Sequence, residues 1–485
     1  MPSRLTRHLQ WTTTPELSGR AYTETRAMAA MRPQTARVQG VSTDALALLA
    51  APNAPTDARP SHDPPLAVRE EAIYLLHIAA EVEHALMVQY LYAAYSLGGP
   101  QVPPEDRDRV RRWRESILGI AREEMGHLVT VQNILLLLGG PLTLSREDFP
   151  VPADLYPFTF RLEPLTQRSL AKYVIAEMPD ESNFQPGTPE REELDRIKKV
   201  AQLDNDDIPV DRVGILYQQI IDLLNAVASE DFDADSVRFQ ARPDEWGLGY
   251  QNLIILSASN LAEAQAALRS VAEQGEGASM DPTPPTALPV DPSHFGRFLN
   301  VYRQFPDAAG WVPSHPVPTN PTTASMPHED PDMEQGRITN EQTRMWGQLF
   351  NLRYKMLLLY LLHACSTSGR LTANEARTPR GLLVSWAFGE MYNLRSIADI
   401  LTTLPQHEDG SLEHVGGAPF EMPYSLALPD REASRWRFHR DSLTTSMSLT
   451  AEILKHAEPA HRPYLHGLQG LDQAAQNIIF PIIGG

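Results

Sequence analysis

The amino-acid sequence predicts an all-α protein. Several long segments repeat apolar residues at the 3.6-residue spacing of a helix, and they end at Gly and Pro residues that stop helices. The sequence shows neither a set of segments with the alternation of β-strands nor a fixed-period repeat. The chain has 485 residues, of which 42% are apolar, so it is long enough for two or three domains with hydrophobic cores.

Composition excludes several classes of function. The formal charge of −19, from 61 acidic and 42 basic residues, argues against nucleic acid or an anionic membrane as the main partner, because both require a basic face. The single cysteine, Cys365, excludes an internal disulfide framework and a cysteine-rich metal site, and it suits a reducing cytoplasm. We expect a cytoplasmic protein with no membrane span, no secretory signal and a small-molecule substrate. A second copy of the chain and a neighbouring pathway enzyme are left open as protein partners.

Clusters of proline divide the chain. "APNAPTDARPSHDPP" precedes the first strong helical pattern, and a second stretch rich in Pro, Ser and Thr follows the last helix of the predicted bundle. Beyond it, three helical patterns and a possible fourth, "LHGLQGLDQAAQNII", form an additional helical region. The predicted organisation is an N-terminal extension at 1–65, a helical bundle at 66–310 with a large insertion at 141–250, a Pro-rich linker at 311–338 and a C-terminal helical domain at 339–485.

Two long helices are predicted to open the bundle. Apolar residues recur through 69–97 until "GGP" ends the pattern, and a second helix runs from about 105 to 138 before Gly-Gly-Pro. Two such helices joined by a short loop form an αα-hairpin, which is half of a four-helix bundle. The segments "LGYQNLIILSASNLAEAQAALRSVAEQGEGAS" and "SHFGRFLNVYRQF" are predicted to complete it.

The second helix carries an acid and a histidine on its apolar side. In "IAREEMGHLVTVQNILLLLGG", Glu124 interrupts an otherwise apolar stripe and His127 lies one turn further on. An unpaired buried carboxylate costs several kcal/mol, so the fold needs a compensating positive charge. Glu-x-x-His puts an oxygen and a nitrogen ligand on one helix face, the spacing of carboxylate-bridged dimetal bundles. An ion pair or hydrogen bond inside the bundle is the alternative interpretation of this motif alone.

The first helix repeats the pattern. In "AEVEHALMVQYLYAAYSL", Glu83 is a lone acid on an apolar stripe, and Tyr90 falls within about 20° of the same face. A buried acid on one helix followed by Glu-x-x-His on the next is half of a dimetal site. The combination is more specific than either part.

These motifs carry a resemblance to a known family. "AEVEHALMVQYLYAAYSLGG", "IAREEMGHLVTVQNILLLLGGPL", "SHFGRFLNVY" and "GGAPFEMP" resemble the ferritin-like family that includes the iminophenyl-pyruvate dimer synthases of violacein and rebeccamycin biosynthesis. The resemblance runs from about residue 66 to 430. It implies a ferritin-like four-helix bundle in which Glu83, Glu124 and His127 are metal ligands and Tyr90 is their hydrogen-bond partner.

The second half of the site departs from the family pattern, which implies a glutamate on the third helix and another Glu-x-x-His on the fourth. The third helix offers Glu276 as the better placed acid and Glu273 as the reserve. The fourth helix lacks Glu-x-x-His, and its first turn offers His294 as the partner of His127. Asp291, three residues earlier, precedes a proline and is an uncertain sixth ligand.

Two further sets of polar residues are predicted to lie outside the metal site. His77, Glu81 and His84 share a stripe on the first helix, but the stripe is predicted to lie nearer the surface. Glu123 shares its face with small and polar residues and is predicted to be solvated or to support the ligands from outside.

Carboxylates with one histidine per metal suit iron or manganese. The sequence therefore predicts an enzyme with two iron ions, or manganese, that activates dioxygen as co-substrate to oxidise a small organic molecule. The family resemblance implies that this molecule is amino-acid-derived and that the reaction belongs to natural-product biosynthesis. A ferroxidase-type metal-binding protein without an organic substrate is the first alternative. A scaffold with a decayed site is the second.

Overall fold

The structure is a computed structural model that describes residues 9–10, 61–62, 64, 66–151, 156–246, 253–276, 293–306, 311–368 and 378–483. These ranges contain thirteen α-helices and one antiparallel pair of two-residue strands, which confirms the all-α prediction. The strands are β1 (Leu9–Gln10) and β2 (Ser61–His62). The helices are α1 (Val68–Ser96), α2 (Arg107–Leu137), α3 (Gln167–Ala176), α4 (Pro189–Leu203), α5 (Val213–Leu224), α6 (Pro243–Trp246), α7 (Leu261–Glu276), α8 (His294–Gln304), α9 (Pro331–Gly336), α10 (Glu341–Cys365), α11 (Pro379–Leu401), α12 (Glu432–His456) and α13 (Arg462–Ile483). Three short 3-10 helices lie at Glu181–Asn183, Ser229–Asp231 and Ala234–Arg238.

The helices α1 and α2 pack along their length as the predicted hairpin. Around them, α5 packs on α1, while α8 packs on both α2 and α3, and α7 lies against α2, α5 and α8. Positive φ angles at Gly98 and Gly139 turn the chain where the two long helices end. The hairpin is thus the centre of the bundle.

Both central helices are buried on every side. Residues 78–90 of α1 and 123–135 of α2 are buried without interruption, which is the pattern of a helix surrounded by protein. Helices of the bundle cover one side, and the C-terminal region covers another. A polar residue at any position of these stretches must therefore find a partner inside the protein.

The C-terminal region is a second helical assembly. The helices α10 and α11 pack together, as do α12 and α13, and α10 also contacts α12. Buried Arg353 of α10 forms ion pairs with Glu390 at 2.9 Å and Asp472 at 2.5 Å, which ties α11 and α13 to α10. The possible fourth helix of the sequence prediction is α13.

The Pro-rich segment 311–338 is a strap packed on both assemblies. Its His315 N–H donates to the Ser96 carbonyl at the end of α1, at 2.7 Å, and Gly98 N–H donates to the Pro313 carbonyl at 2.8 Å. At its other end, the Thr322 hydroxyl donates to Glu421 Oε1 at 2.6 Å. Backbone pairing holds this segment against its neighbours, so it is not a free spacer.

The predicted third helix of the bundle differs from the structure at its start. Residues 253–258 are not helical and lie along α2, where Leu256 N–H donates to Thr130 Oγ1 and the Asn133 side chain donates to the Leu256 carbonyl. The helix α7 begins only at Leu261. Most of the predicted N-terminal extension, the residues 247–252 and the segment with Asp291 lie outside the described residues.

One glycine permits the close approach of this segment. An ideal Cβ placed on Gly126 would lie 2.5 Å from the carbonyl oxygen of Ile254, closer than real Cβ contacts. Gly126 lies between Glu124 and His127 on α2. The backbone at 253–256 can therefore seat on α2 only because this position has no side chain.

We predict that Gly126→Ala lowers the free energy of unfolding by about 1–3 kcal/mol, because the new methyl group must displace backbone atoms. Gly389→Ala is the matched control, since Gly389 lies within α11 and an added Cβ would meet nothing within 4 Å. The control should raise the free energy of unfolding by roughly 0.5–1 kcal/mol through helix propensity. Urea unfolding of both variants measures the difference, and equal stabilities would contradict the close approach.

Candidate metal centre

Four elements bring acids and imidazoles to one place. Glu83 comes from the middle of α1, and Glu124 and His127 come from α2. Glu177 follows the last residue of α3, and His294 is the first residue of α8. The structure therefore brings together four of the residues singled out in the sequence and adds Glu177.

The start of α8 is fixed by its N-cap. The Ser293 side chain accepts a hydrogen bond from Gly296 N–H at 3.0 Å, so the helix begins at His294. His294 has no exposed surface. The cap thereby sets a histidine at the inner end of the helix without the Glu-x-x-His pattern that the family implies.

The two oxygens of Glu124 face different imidazoles. Its Oε2 lies 2.9 Å from His127 Nδ1, and that nitrogen lies 3.4 Å from Glu83 Oε2. Its Oε1 lies 2.9 Å from His294 Nδ1, and that nitrogen lies 3.5 Å from Glu177 Oε2. Glu124 is thus shared by two half-sites, each with one further glutamate and one histidine.

Three buried atoms of this centre make no hydrogen bond in the described part of the chain. They are Glu83 Oε2, Glu124 Oε1 and His294 Nδ1. Ligand atoms of Glu124, His127 and His294 also lie within 4.8 Å of one another. Buried polar atoms without partners are costly, and bound cations would satisfy all three. The residues present fit a metal.

The outer nitrogens of both histidines are held in place. His294 Nε2 lies 3.0 Å from Glu123 Oε2, and Glu123 also forms a two-fold ion pair with Arg297. His127 Nε2 lies 2.9 Å from Gln274 Oε1. An Nε2–H donated outward leaves the Nδ1 lone pair of each neutral ring directed at the centre. Glu123 is thus buried against the His294 ring rather than solvated.

Two tyrosines hold the outer glutamates. Tyr90 donates its hydroxyl hydrogen to Glu177 Oε1 at 2.6 Å, and Tyr217 of α5 donates to Glu83 Oε1. Both hydroxyl groups are buried, and burial raises the pKa of each tyrosine well above its usual value, so both remain donors. Each terminal glutamate keeps its second oxygen directed at an imidazole.

Burial and charge shift the pKa values of the centre in opposite directions. Burial, with the neighbouring Glu124, raises the pKa of Glu83 to about 8. Burial also acts to raise the pKa of Glu124, but His294 and His127 outweigh it and hold that pKa well below its usual value. Burial lowers the pKa of His127, yet Glu124 and Glu83 outweigh it and raise that pKa to about 10. Without metal, protons at Glu83 and His127 balance the buried charge at neutral pH, so a cation must displace them.

Of the two acids predicted from the third helix, Glu276 borders the centre and Glu273 does not. Glu276, the last residue of α7, lines a cavity of about 20 Å³ at the centre, but its Oε1 is 3.5 Å from Arg212 Nη1. Burial raises the pKa of Glu276 to about 7, with Arg212 opposing the shift. Glu273 is exposed on α7. The carboxylate beside His294 is therefore Glu177, from the segment predicted to be an insertion.

The sequence contains a local signal for Glu177. In "LAKYVIAEMPD", the acid ends a short apolar pattern, and Tyr173 and Val174, one turn earlier, are buried. Glu177 is 4% exposed and lies within the bundle. A lone acid on an apolar stripe is the criterion that selects Glu83, and Glu177 meets it as well.

The stripe of His77, Glu81 and His84 is less exposed than the sequence predicted. Glu81 and His84 are buried, because the segment after α2 and the helix α10 cover this side of α1. Glu81 accepts from the Tyr156 hydroxyl at 2.7 Å, and His84 Nε2 contacts the Tyr354 hydroxyl. His77 Nε2 lies 2.9 Å from the Pro141 carbonyl oxygen, so the three side chains reach different partners.

Comparison with known proteins identifies the family of the region that holds this centre. A family model described as Ferritin-like matches residues 76–303, which include every residue of the centre. Residues 76–303 therefore have a ferritin-like fold. A crystal structure of a ferritin-like protein from Caulobacter vibrioides aligns with 67% of this chain and 95% of its own, at 16% identity and a TM-score of 0.38.

Curated relatives of the ferritin-like region and its surroundings are named as biosynthetic enzymes. Over 423 residues, 78% of this chain and 38% of the relative, the sequence is 26% identical to dichlorochromopyrrolate synthase of Lentzea aerocolonigenes. Over 280 residues, 52% of this chain and 25% of the relative, it is 26% identical to 2-imino-3-(indol-3-yl)propanoate dimerase of Chromobacterium violaceum. The matched part spans less than two fifths of the length of either relative. Within the described ranges, no helix is long and apolar enough to cross a bilayer.

We predict that Glu177→Gln lowers the iron content of the purified protein from two ions per chain to about one, because one half-site loses its terminal carboxylate. Glu273→Gln is the matched control on the exposed side of α7 and should keep both ions. Elemental analysis after iron loading measures the content. Loss of iron from the Glu273→Gln variant, with none from the Glu177→Gln variant, would contradict this assignment. It would indicate that α7 provides the carboxylate ligand, as the sequence predicted.

Proposed function

We propose that this chain binds two metal ions through the shared carboxylate of Glu124 and uses them with dioxygen to oxidise a small organic molecule. The observation that carries the proposal is that the two oxygens of Glu124 face two separate imidazole nitrogens. Such sharing is the arrangement of dimetal carboxylate bundles. The named activities of the relatives support an oxidative, biosynthetic role.

The donor set favours iron, with manganese as the second choice. Three carboxylates and two imidazoles are hard and borderline donors, without the thiolates that would favour zinc or copper. Glu83 and His127 would hold one ion, Glu177 and His294 the other, and Glu124 both. When bound, two ferrous ions would supply the electrons that dioxygen takes up.

The chain's own residues prepare the site for this chemistry. Tyr90 and Tyr217 fix the terminal glutamates, and Glu123 and Gln274 fix the rings of the histidines. Burial of the centre excludes bulk water, which strengthens each electrostatic contact and protects reactive species from hydrolysis.

The substrate that the relatives suggest is an indole-derived 2-imino acid. A minimal balanced reaction removes two electrons and two protons from the substrate and reduces dioxygen to hydrogen peroxide. Oxidative joining of two imino acids has this stoichiometry, because one new bond replaces two bonds to hydrogen.

Ferroxidase activity without an organic substrate is the second candidate. The observation in its favour is the size of the cavity at the metal centre, about 20 Å³, which can take water or dioxygen but not an indole. In that case ferrous iron itself would be the substrate.

We predict that the iron-loaded protein consumes dioxygen when 2-imino-3-(indol-3-yl)propanoate is added, and that Glu124→Ala lowers the rate at least about 100-fold, because both half-sites lose a ligand. Glu413→Ala, at an exposed loop, is the control and should keep the rate. An oxygen electrode measures uptake, and elemental analysis measures iron in each variant.

Three other results would each contradict the proposal. Uptake driven by ferrous iron alone and unaffected by the imino acid would identify a ferroxidase. Less than about one iron ion per chain would identify a decayed site. Full oxygen-uptake activity in Glu124→Ala would show that the reaction does not require the metal centre.

A further inference from the structure

A second, larger cavity lies beside the hairpin of α1 and α2, on the side covered by the C-terminal helices. Its volume is about 310 Å³, which is within the range of small-molecule sites. The cavity at the metal centre is about 20 Å³ and is lined by a different set of residues. An organic molecule that fits the larger cavity cannot fit the smaller one as it stands.

The two cavities share the same two helices. Met87 lines the large cavity and follows the metal-centre residue Glu83 by one helical turn on α1. On α2, Leu128 lines it and follows Glu124 by one turn. The large cavity therefore borders the helix segments that carry the metal centre.

The far wall comes from the C-terminal region and is aromatic and aliphatic. Leu357, Leu358 and Leu361 of α10 line it, together with Phe420. The Phe420 ring is stacked with Tyr95 at a centroid distance of 6.2 Å. Faces and edges of aromatic rings around an apolar space favour a ligand with a flat apolar body.

The charged side chains that line this cavity are positive. Arg122 of α2 and Arg395 of α11 are among its lining residues, and the described residues that line it include no acidic side chain. In a chain of net charge −19, two guanidinium groups on one apolar cavity are complementary to an anion. Arg395 also donates to Glu115 at 2.7 Å, so a ligand would share that guanidinium.

We propose that this cavity binds a small organic anion, with its apolar body between α2 and α10 and its carboxylate or equivalent group at Arg122 and Arg395. The proposal that an anion binds here rests only on the volume and the lining residues of this cavity. The assignment of the anion as the substrate of the metal centre rests on the proposed function.

The test uses 3-(indol-3-yl)propanoate as the anionic probe and its neutral amide as the matched ligand, with the full chain in metal-free and iron-loaded forms. Isothermal titration calorimetry should show the anion binding at least about 10-fold more tightly than the amide, since ion pairing contributes more than a neutral hydrogen bond. Arg122→Gln should remove most of that preference. Equal affinities of acid and amide for the wild-type protein would overturn the charge assignment.

Two variants fill the cavity. Leu361→Trp and Met391→Trp should each weaken binding of the probe at least about 10-fold. Met391 is partly exposed, so its variant still tests the site if the substitution at buried Leu361 prevents folding. Leu362→Trp is the control on the same helix, since Leu362 is not among the lining residues. Wild-type affinity in both filling variants, with circular dichroism showing folded protein, would overturn the site.

The two proposals can fail separately. If the filling variants abolish probe binding but no preparation takes up oxygen, the anion site is supported and the proposed function is contradicted. Oxygen uptake that persists unchanged in Leu361→Trp and Met391→Trp would keep the metal enzyme and remove this cavity as its substrate site.

Discussion

The structure depends on one buried carboxylate, Glu124, whose two oxygens are shared between two imidazoles. An ionised carboxylate in a dry interior costs several kcal/mol unless positive charge compensates it. Without metal, His127 and His294 provide that charge as imidazolium groups. Bound metal ions would displace those protons and provide the positive charge instead. The packing of α1, α2, α3 and α8 brings those groups to a single carboxylate.

The surrounding residues convert this cluster of charges into a site of defined geometry. Outward hydrogen bonds to Glu123 and Gln274 set the ring orientations, and tyrosines fix the terminal glutamates. Since the outer partners come from several helices, the geometry exists only when the whole bundle is assembled. The proposed metal binding would therefore be linked to folding, as expected for a buried site whose ligands are scattered along the chain.

The C-terminal region has a structural part in this arrangement. It covers a side of α1 and α2 that the bundle helices leave open, so residues 78–90 and 123–135 are buried without interruption. Buried ion pairs position it, including Arg353 with Glu390 and Arg380 with Glu245, the latter at 2.8 Å. One consequence is that His84 and Glu81 are buried on the face of α1 that the sequence pattern suggested was near solvent. Another is the apolar cavity with two arginines between the two assemblies.

Local sequence patterns were enough to predict the hairpin, the all-α class and the proximity of Glu83, Glu124 and His127, since helical periodicity and Glu-x-x-His are local properties of the chain. The predicted ends of the first two helices agree with α1 and α2 within two residues. Tertiary structure decided the other half. Glu177 lies beside His294 although 117 residues separate them, and no local period records such a contact. Glu276 is the acid that the helix pattern favoured, but its carboxylate pairs with Arg212. A helix pattern states which face is apolar, but only packing decides which neighbour that face meets.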